Sequence, residues 1–200
     1  MIYLTGKVTS YTHPRLGVMM TPRRREDPPP DVPIAVDNGC FADPGSYHEG
    51  RYVDFVAAMP RERTLFAAAP DVLGDHAATV RRSLAGLRAI RRAGVPAAFV
   101  AQDGWSEGDT PWDELDVLFI GGTTEFKLRG GRAAAQAARR RGKRVHMGRV
   151  NGLGRLRAAV AIGCDSADGN CLTFGPDKNW PRVRRWLESI DQQAEMAECG

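Results

Sequence analysis

Two hundred residues, 42% of them apolar, can bury one core and leave no room for a second full domain, so residues 1–200 are expected to form a single globular domain. No apolar run approaches the roughly 20 residues that span a bilayer, and the N-terminus lacks the longer apolar segment of a signal peptide, which points to the cytoplasm and away from the membrane. The net charge of +4 comes from 28 basic against 24 acidic residues; the arginine clusters behind it are either solvated helix faces or a surface that attracts phosphates. Cys40, Cys164, Cys171 and Cys199 form no CxxC pair and no dense disulfide pattern, so reduced thiols are expected, with no zinc site.

In chain order, Ile2 to Leu4 and Leu16 to Met20 read as strands, separated by Tyr11-Thr12-His13-Pro14. The segment 21–33, with Arg23, Arg24, Arg25 and three consecutive prolines at 28–30, cannot be regular and is expected to be a flexible loop. The strand Ile34 to Asp37 runs straight into Asn38-Gly39-Cys40-Phe41, which sets Asp37 at a strand end. A helix over about 52–59 follows, then the strand Leu65 to Ala69 and Pro70-Asp71. In the helix 75–92, Val80, Leu84, Leu87 and Ile90 recur at helical spacing, and Gly94 terminates it.

The strand Ala97 to Ala101 ends at Gln102-Asp103-Gly104, a polar loop spans 105–114, and the strand Val117 to Ile120 ends at Gly121-Gly122. A helix then runs through Arg132 to Arg141. Residues 144–170 form a βαβ unit: a short strand ending at Met147-Gly148, a helix with Leu153, Leu156 and Val160 on one face, and a second strand that leaves Asp165 and Asp168 at or just beyond its carboxyl end. Pro181 suits the first turn of a last helix, which turns Val183, Trp186, Leu187 and Ile190 inward. The tail 192–200 is expected to fray.

Seven or eight strands, most of them separated by helices, predict an α/β fold: a compact (β/α)₈ TIM-like barrel, trimmed of the helix between its first two strands. An open doubly wound sheet is the alternative, but no GxGxxG or GxxxxGK[ST] follows the first strand. In a barrel, Asp37, Asp71, Gln102, Gly121, Gly122, Met147, Gly148 and Asp168 converge on one mouth. Carboxylates, an amide, exposed backbone and the apolar Phe41 and Met147 make a set that suits a planar purine-like base. Taken singly, a strand-end aspartate is more often a helix cap, and Gly-Gly is usually a turn.

Several of these segments resemble the tRNA-guanine transglycosylase superfamily. Asp37-Asn38-Gly39-Cys40-Phe41 is similar to its DSGGF/Y motif, Gln102-Asp103-Gly104 to QG, Ile120-Gly121-Gly122 to IGG and Met147-Gly148 to MG. The resemblance implies that Asp168 is the nucleophile, Asp37 an acid/base, and Asp71, Gln102, Gly121, Gly122, Phe41, Met147 and Gly148 base-binding. The family's cysteine and histidine zinc subdomain and its PTR segment are absent, and Gly163-Cys164-Asp165-Ser166-Ala167-Asp168-Gly169 resembles the DpdA-type DNA-guanine transglycosylases of phages and bacteria.

That subgroup implies exchange of guanine in DNA for a free 7-deazaguanine base such as 7-cyano-7-deazaguanine, with no cofactor. Asp168 would form the covalent glycosyl intermediate, with Asp165 the nucleophile if the match is shifted, and Asp37 would move the protons. Arg149, Lys178, Arg23, Arg24 and Arg25 would hold DNA phosphates. The implied setting is the cytoplasm of a bacterial or phage-infected cell, with a homodimer as one allowed assembly. The alternatives are a nucleoside (deoxy)ribosyltransferase or nucleosidase, a tRNA-acting guanine transglycosylase, and a catalytically silent binding module.

Overall fold

The computed structural model describes residues 1–198 except 25, 28, 41–44 and 46, with side chains described through residue 190. Eight parallel strands close into a barrel in chain order, β8 returning beside β1. They are β1 (Ile2–Thr5), β2 (Leu16–Met20), β3 (Ile34–Val36), β4 (Thr64–Ala68), β5 (Ala97–Ala101), β6 (Val117–Ile120), β7 (Arg144–Met147) and β8 (Ser166–Gly169). Around them lie α1 (Glu49–Ala57), α2 (His76–Arg92), α3 (Thr124–Arg129), α4 (Gly131–Arg140), α5 (Leu153–Ala161) and α6 (Pro176–Glu198). The expected trimmed barrel is thus the fold observed: among the described residues no helix separates β1 from β2, and the expected loops 21–33 and 105–114 stand in place of helices between β2 and β3 and between β5 and β6.

Aromatic loops cover the strands where helices are missing. Tyr11, between β1 and β2, stacks on Trp180 of α6 with ring centroids 4.8 Å apart. Between β5 and β6, Trp105 and Trp112 pack on the core, and Arg141 lies 4.5 Å over the Trp112 ring. Loop 21–33 is tied down at three points: the Val8 amide donates to Glu26 Oε2 (3.3 Å), and Arg63 donates to the carbonyls of Pro29 and Val32.

Strand alternation sorts the core into two layers. Leu4, Met19, Ala35, Phe66, Ala98 and Val117 fill the barrel interior, with Ile2 and Phe119 against them. Tyr3, Val18, Val36, Leu118, Met147 and Ala167 face outward beneath the helices. Gly86 lets α2 approach the end of β4, since a Cβ there would meet Pro70 Cδ at 2.5 Å. Asp75 caps α2 by accepting from the Ala78 amide (2.9 Å), and Thr79 Oγ1 accepts from the Val72 amide (2.9 Å), so the loop carrying Asp71 is fixed at its far end. The last helix begins at Pro176, four residues before the expected start, so Pro181 falls inside it instead of in its first turn.

Candidate active site

The carboxyl ends of the strands surround a cavity of about 150 Å³. Asp37 follows β3; its amide donates to the Met20 carbonyl (2.8 Å), and its Oδ1 accepts from the Gly39 amide (2.9 Å). The tight Asx turn this makes relies on Gly39 at φ 76°. Burial pushes the Asp37 carboxyl up to about 6, against the Gly39 hydrogen bond, and Asp168 and Asp71 add repulsion in the same direction.

Beside it stands a cradle of amides. Asn38 Nδ2 donates to the Ala69 carbonyl (2.7 Å) and to Asp71 Oδ1 (2.9 Å). Gln102, buried at the end of β5, donates from Nε2 to Asp71 Oδ2 (2.6 Å), and its Oε1 accepts from the Gly74 amide (3.0 Å). Burial raises the Asp71 carboxyl even though both amides favour its charged form. Gly121 closes this wall because a Cβ there would lie 2.6 Å from Val100 Cγ1.

Across the mouth, Lys127 of α3 donates from Nζ to the Gly148 carbonyl (2.7 Å). Burial, reinforced by the Arg149 charge, lowers its ammonium to about 8. The Arg149 side chain donates to the Gly122 carbonyl, which ties the end of β7 to the end of β6. Its backbone adopts φ 58°, an unusual conformation for a residue with a side chain, and its amide reaches both Asp168 oxygens at 3.3 Å.

Asp168 lies within β8 rather than beyond it, and faces the barrel interior beside His146 of β7. The His146 ring is fully buried, with Phe66 and Phe119 ring centroids 4.8 and 4.4 Å away. Its Nε2 is 3.0 Å from Asp168 Oδ1, and its Nδ1 is 2.8 Å from Ser166 Oγ. With Asp168 a carboxylate, Nε2 carries the proton, and Nδ1 accepts from the Ser166 hydroxyl.

The structure therefore brings together Asp37, Asp71, Gln102, Gly121, Gly122, Gly148, Arg149 and Asp168 in one cavity lining. Met147 does not join them. Because His146 faces inward, the next residue faces outward, and Met147 packs in the outer layer beside Leu128 and Val150. Arg23 and Arg24 line a separate, adjoining space; Lys178 is exposed on α6 and lines neither. Phe41 and Arg25 lie outside the described residues. Asp165 precedes β8 and works in the framework: its Oδ2 accepts from the Val145 amide (2.7 Å), and Arg139 pairs with its Oδ1 (3.2 Å).

Lys127 and His146 are site residues that the strand-end motifs did not mark, and Asn38, inside one of those motifs, was given no role by it. A period-two reading of Val145-His146-Met147 puts His146 and Met147 on opposite faces but does not say which one faces inward. Among the described residues, no group of three or more His, Cys, Asp or Glu side chains is placed to hold a metal ion, and no helix is long and apolar enough to cross a membrane.

No family model matches the chain, and no curated protein matches it. Solved structures do. A proposed isomerase from Sinorhizobium meliloti superposes with a TM-score of 0.51 at 16% identity, over 80% of this chain and 44% of that one. A mandelate racemase/muconate lactonizing enzyme-like protein from Rubrobacter xylanophilus gives 0.47 at 16%, over 74% and 36%, and an enolase from Sargasso Sea environmental sequence gives 0.45 at 13%, over 68% and 36%. The chain thus spans less than half the length of these three, and the likeness is one of fold.

The resemblance to tRNA-guanine transglycosylases is corrected by these findings. No family model and no curated transglycosylase matches, and the solved structure that superposes above a TM-score of 0.5 is a proposed isomerase. Guanine exchange in DNA or tRNA and the nucleoside-transfer alternatives lose their support with it. The outward-facing Met147, which cannot stack on a base in the mouth, agrees with that correction.

Proposed function

We propose that the chain is an enzyme that transfers protons on a small polar substrate, at a carbon next to a carbonyl or carboxylate, in an isomerase- or racemase-type reaction. The observation that carries this reading is the pairing of Asp37, raised to about 6, with Lys127, lowered to about 8, in the lining of one cavity. Environments that bring a carboxyl and an ammonium towards neutrality in one cleft suit an acid and a base that both work near pH 7.

Near pH 7 the Asp37 carboxyl is mostly ionised and accepts the proton from carbon. The Lys127 ammonium balances the negative charge that develops on the substrate oxygen and supplies a proton to it. For isomerisation, Asp37 gives the proton to the neighbouring carbon while the hydroxyl on the first carbon returns a proton to Lys127; for racemisation, the proton reaches the original carbon from its opposite face while the enol hydroxyl returns its proton to Lys127. Asn38 and Gln102 hold Asp71 in place, and His146 holds Asp168, so both remaining carboxylates are oriented towards a bound molecule without rotamer freedom. The likeness of the fold to the proposed isomerase from Sinorhizobium meliloti is consistent with this class of chemistry.

Deuterium uptake from heavy water into a panel of 2-hydroxy acids, 2-keto acids, amino acids, small sugars and the phosphate monoesters of the hydroxy acids and sugars, followed by proton NMR, tests the reading. Exchange into one class by the wild type, lost in both Asp37→Asn and Lys127→Met, supports it. Exchange that persists unchanged in both variants, or exchange in no member of the panel, counts against it.

A further inference from the structure

The acid–base cavity is open on the side of β1 and β2. Asp37, Asp168 and Asn170 line it and also line an adjoining space of about 470 Å³, whose outer wall includes Gly6, Thr21, Arg23, Arg24 and Gly39. A tight turn, in which the Arg24 amide donates to the Thr21 carbonyl (3.0 Å), sets the two arginines consecutively on that wall.

One donor of that lining residue set has no acceptor: Arg24 Nη1 is buried without a hydrogen-bond partner among the described residues. A buried guanidinium N–H is costly to leave unpaired, and an anion seated against it would remove that cost. The loop is held in place from outside the cavity by the Val8–Glu26 and Arg63–Val32 hydrogen bonds, so the arginines are presented by an anchored segment.

The charges are laid out with two opposite ends. Asp37 and Asp168, at the shared boundary, repel an anion, while Arg23 and Arg24 attract one at the outer wall. Planar guanidinium forks match the geometry of phosphate oxygens, and the space is many times the roughly 30 Å³ a water occupies in the liquid. We infer that this second space is a phosphate subsite, and that the substrate is a small phosphate monoester whose phosphoryl group lies at Arg23 and Arg24 while its carbonyl end reaches Asp37 and Lys127. The carbonyl end rests on the acid–base function proposed above; the phosphate subsite stands on its own.

Isothermal titration of inorganic phosphate into the full chain, in low-chloride buffer, tests it. The expected result is saturable one-site binding that weakens as chloride is added. Arg24→Gln should weaken it at least tenfold, the Arg23→Gln/Arg24→Gln pair further, and Arg24→Lys by an intermediate factor, because charge stays while the fork is lost. Lys127→Met should bind phosphate as the wild type does. Circular dichroism and melting temperature of each variant without phosphate separate loss of binding from loss of fold.

Failure of the wild type to bind, undiminished binding in the double variant, or loss in Lys127→Met with retention in the double variant would each overturn the subsite. Proton exchange without phosphate binding rejects the subsite alone. Phosphate binding without any exchange rejects the acid–base reading alone.

Discussion

His146 Nε2 meets Asp168 Oδ1 at 3.0 Å inside the barrel, between neighbouring strands whose register pairs His146 with Ser166. The carboxylate therefore sits two residues further towards the mouth than the strand partner of the histidine, and the ring reaches up to hold it. His146→Phe keeps an aromatic ring between Phe66 and Phe119 but leaves Asp168 with only the longer Arg149 amide contacts and Ser166 without its acceptor. Exchange should fall on the order of 100-fold through misplacement of Asp168, and stability by about 1–2 kcal/mol. Single-turnover kinetics and urea unfolding measure the two effects separately.

The pH profile of kcat/KM should be bell-shaped. Its acid limb, near pH 6, reports protonation of Asp37; its alkaline limb, near pH 8, reports loss of the Lys127 proton. Lys127→Arg keeps a cation that does not deprotonate in this range, so whatever activity remains should lose the alkaline limb and keep the acid one. A profile whose alkaline limb is unmoved in that variant would assign the limb to another group.

Asp37 also carries a stability cost with a definite sign. Its folded value of about 6 exceeds its ordinary value of 3.8, so between the two the folded chain holds more protons, and stability falls as pH rises through that interval. Asp37→Asn keeps an oxygen to accept the Gly39 amide and removes the buried charge. It should stabilise the chain by on the order of 1–2 kcal/mol at pH 7, after allowance for the partial exposure of the group, and change little at pH 3. Denaturant midpoints at the two pH values give the comparison, and the same variant should lack exchange.

The barrel and its mouth are legible in the sequence because apolar runs such as Ala97–Ala101 and Val117–Ile120 end in polar or glycine residues, and the carboxyl ends of parallel strands are where those residues gather. Asp37, Asp71, Gln102, Gly121 and Asp168 do line one cavity. The facing of His146 and Met147 is not legible, since a strand buried on both sides has no polar face to fix its phase. Lys127 lies on the six-residue α3, five residues past Gly122, where no periodicity marks it. The resemblance to transglycosylases misleads for a related reason: Asp-Asn-Gly, Ile-Gly-Gly and Met-Gly are short strand-end turns, which the geometry of many (β/α)₈ barrels calls for.

Asp165 and Asp168, three residues apart, should behave differently. Asp165 Oδ2 accepts from the Val145 amide and its Oδ1 pairs with the half-exposed Arg139, at the amino end of β8 and outside the cavity lining. Asp165→Asn weakens the charge-assisted bond to Val145 and should cost about 1 kcal/mol of stability, with exchange within about twofold of wild type. Asp168→Asn should instead lower exchange by at least about 100-fold with a small change in melting temperature. Equal losses of activity in the two variants would contradict the separation of framework from site.

Gly169 joins the fold to the site most tightly. A Cβ on it would lie 2.2 Å from the Tyr3 hydroxyl, 2.5 Å from the Val150 carbonyl oxygen and 2.8 Å from Asn151 Oδ1. The Tyr3 hydroxyl donates to that same Val150 carbonyl (3.1 Å), and the Val150 amide donates to the carbonyl of Asp168, so β1, β8 and the loop after β7 meet at this point. Two of the three obstructing atoms belong to backbone or to a fully buried ring, and neither can swing aside as a surface side chain would. Gly169→Ala should therefore cost about 2–3 kcal/mol by overpacking and shift the loop that carries Arg149, whose amide holds Asp168. Combining it with Tyr3→Phe removes the nearest oxygen but leaves the Val150 carbonyl in place, so only part of the stability should return, and exchange should stay low. Full recovery of both in the double variant would show that the hydroxyl alone sets the limit at this junction.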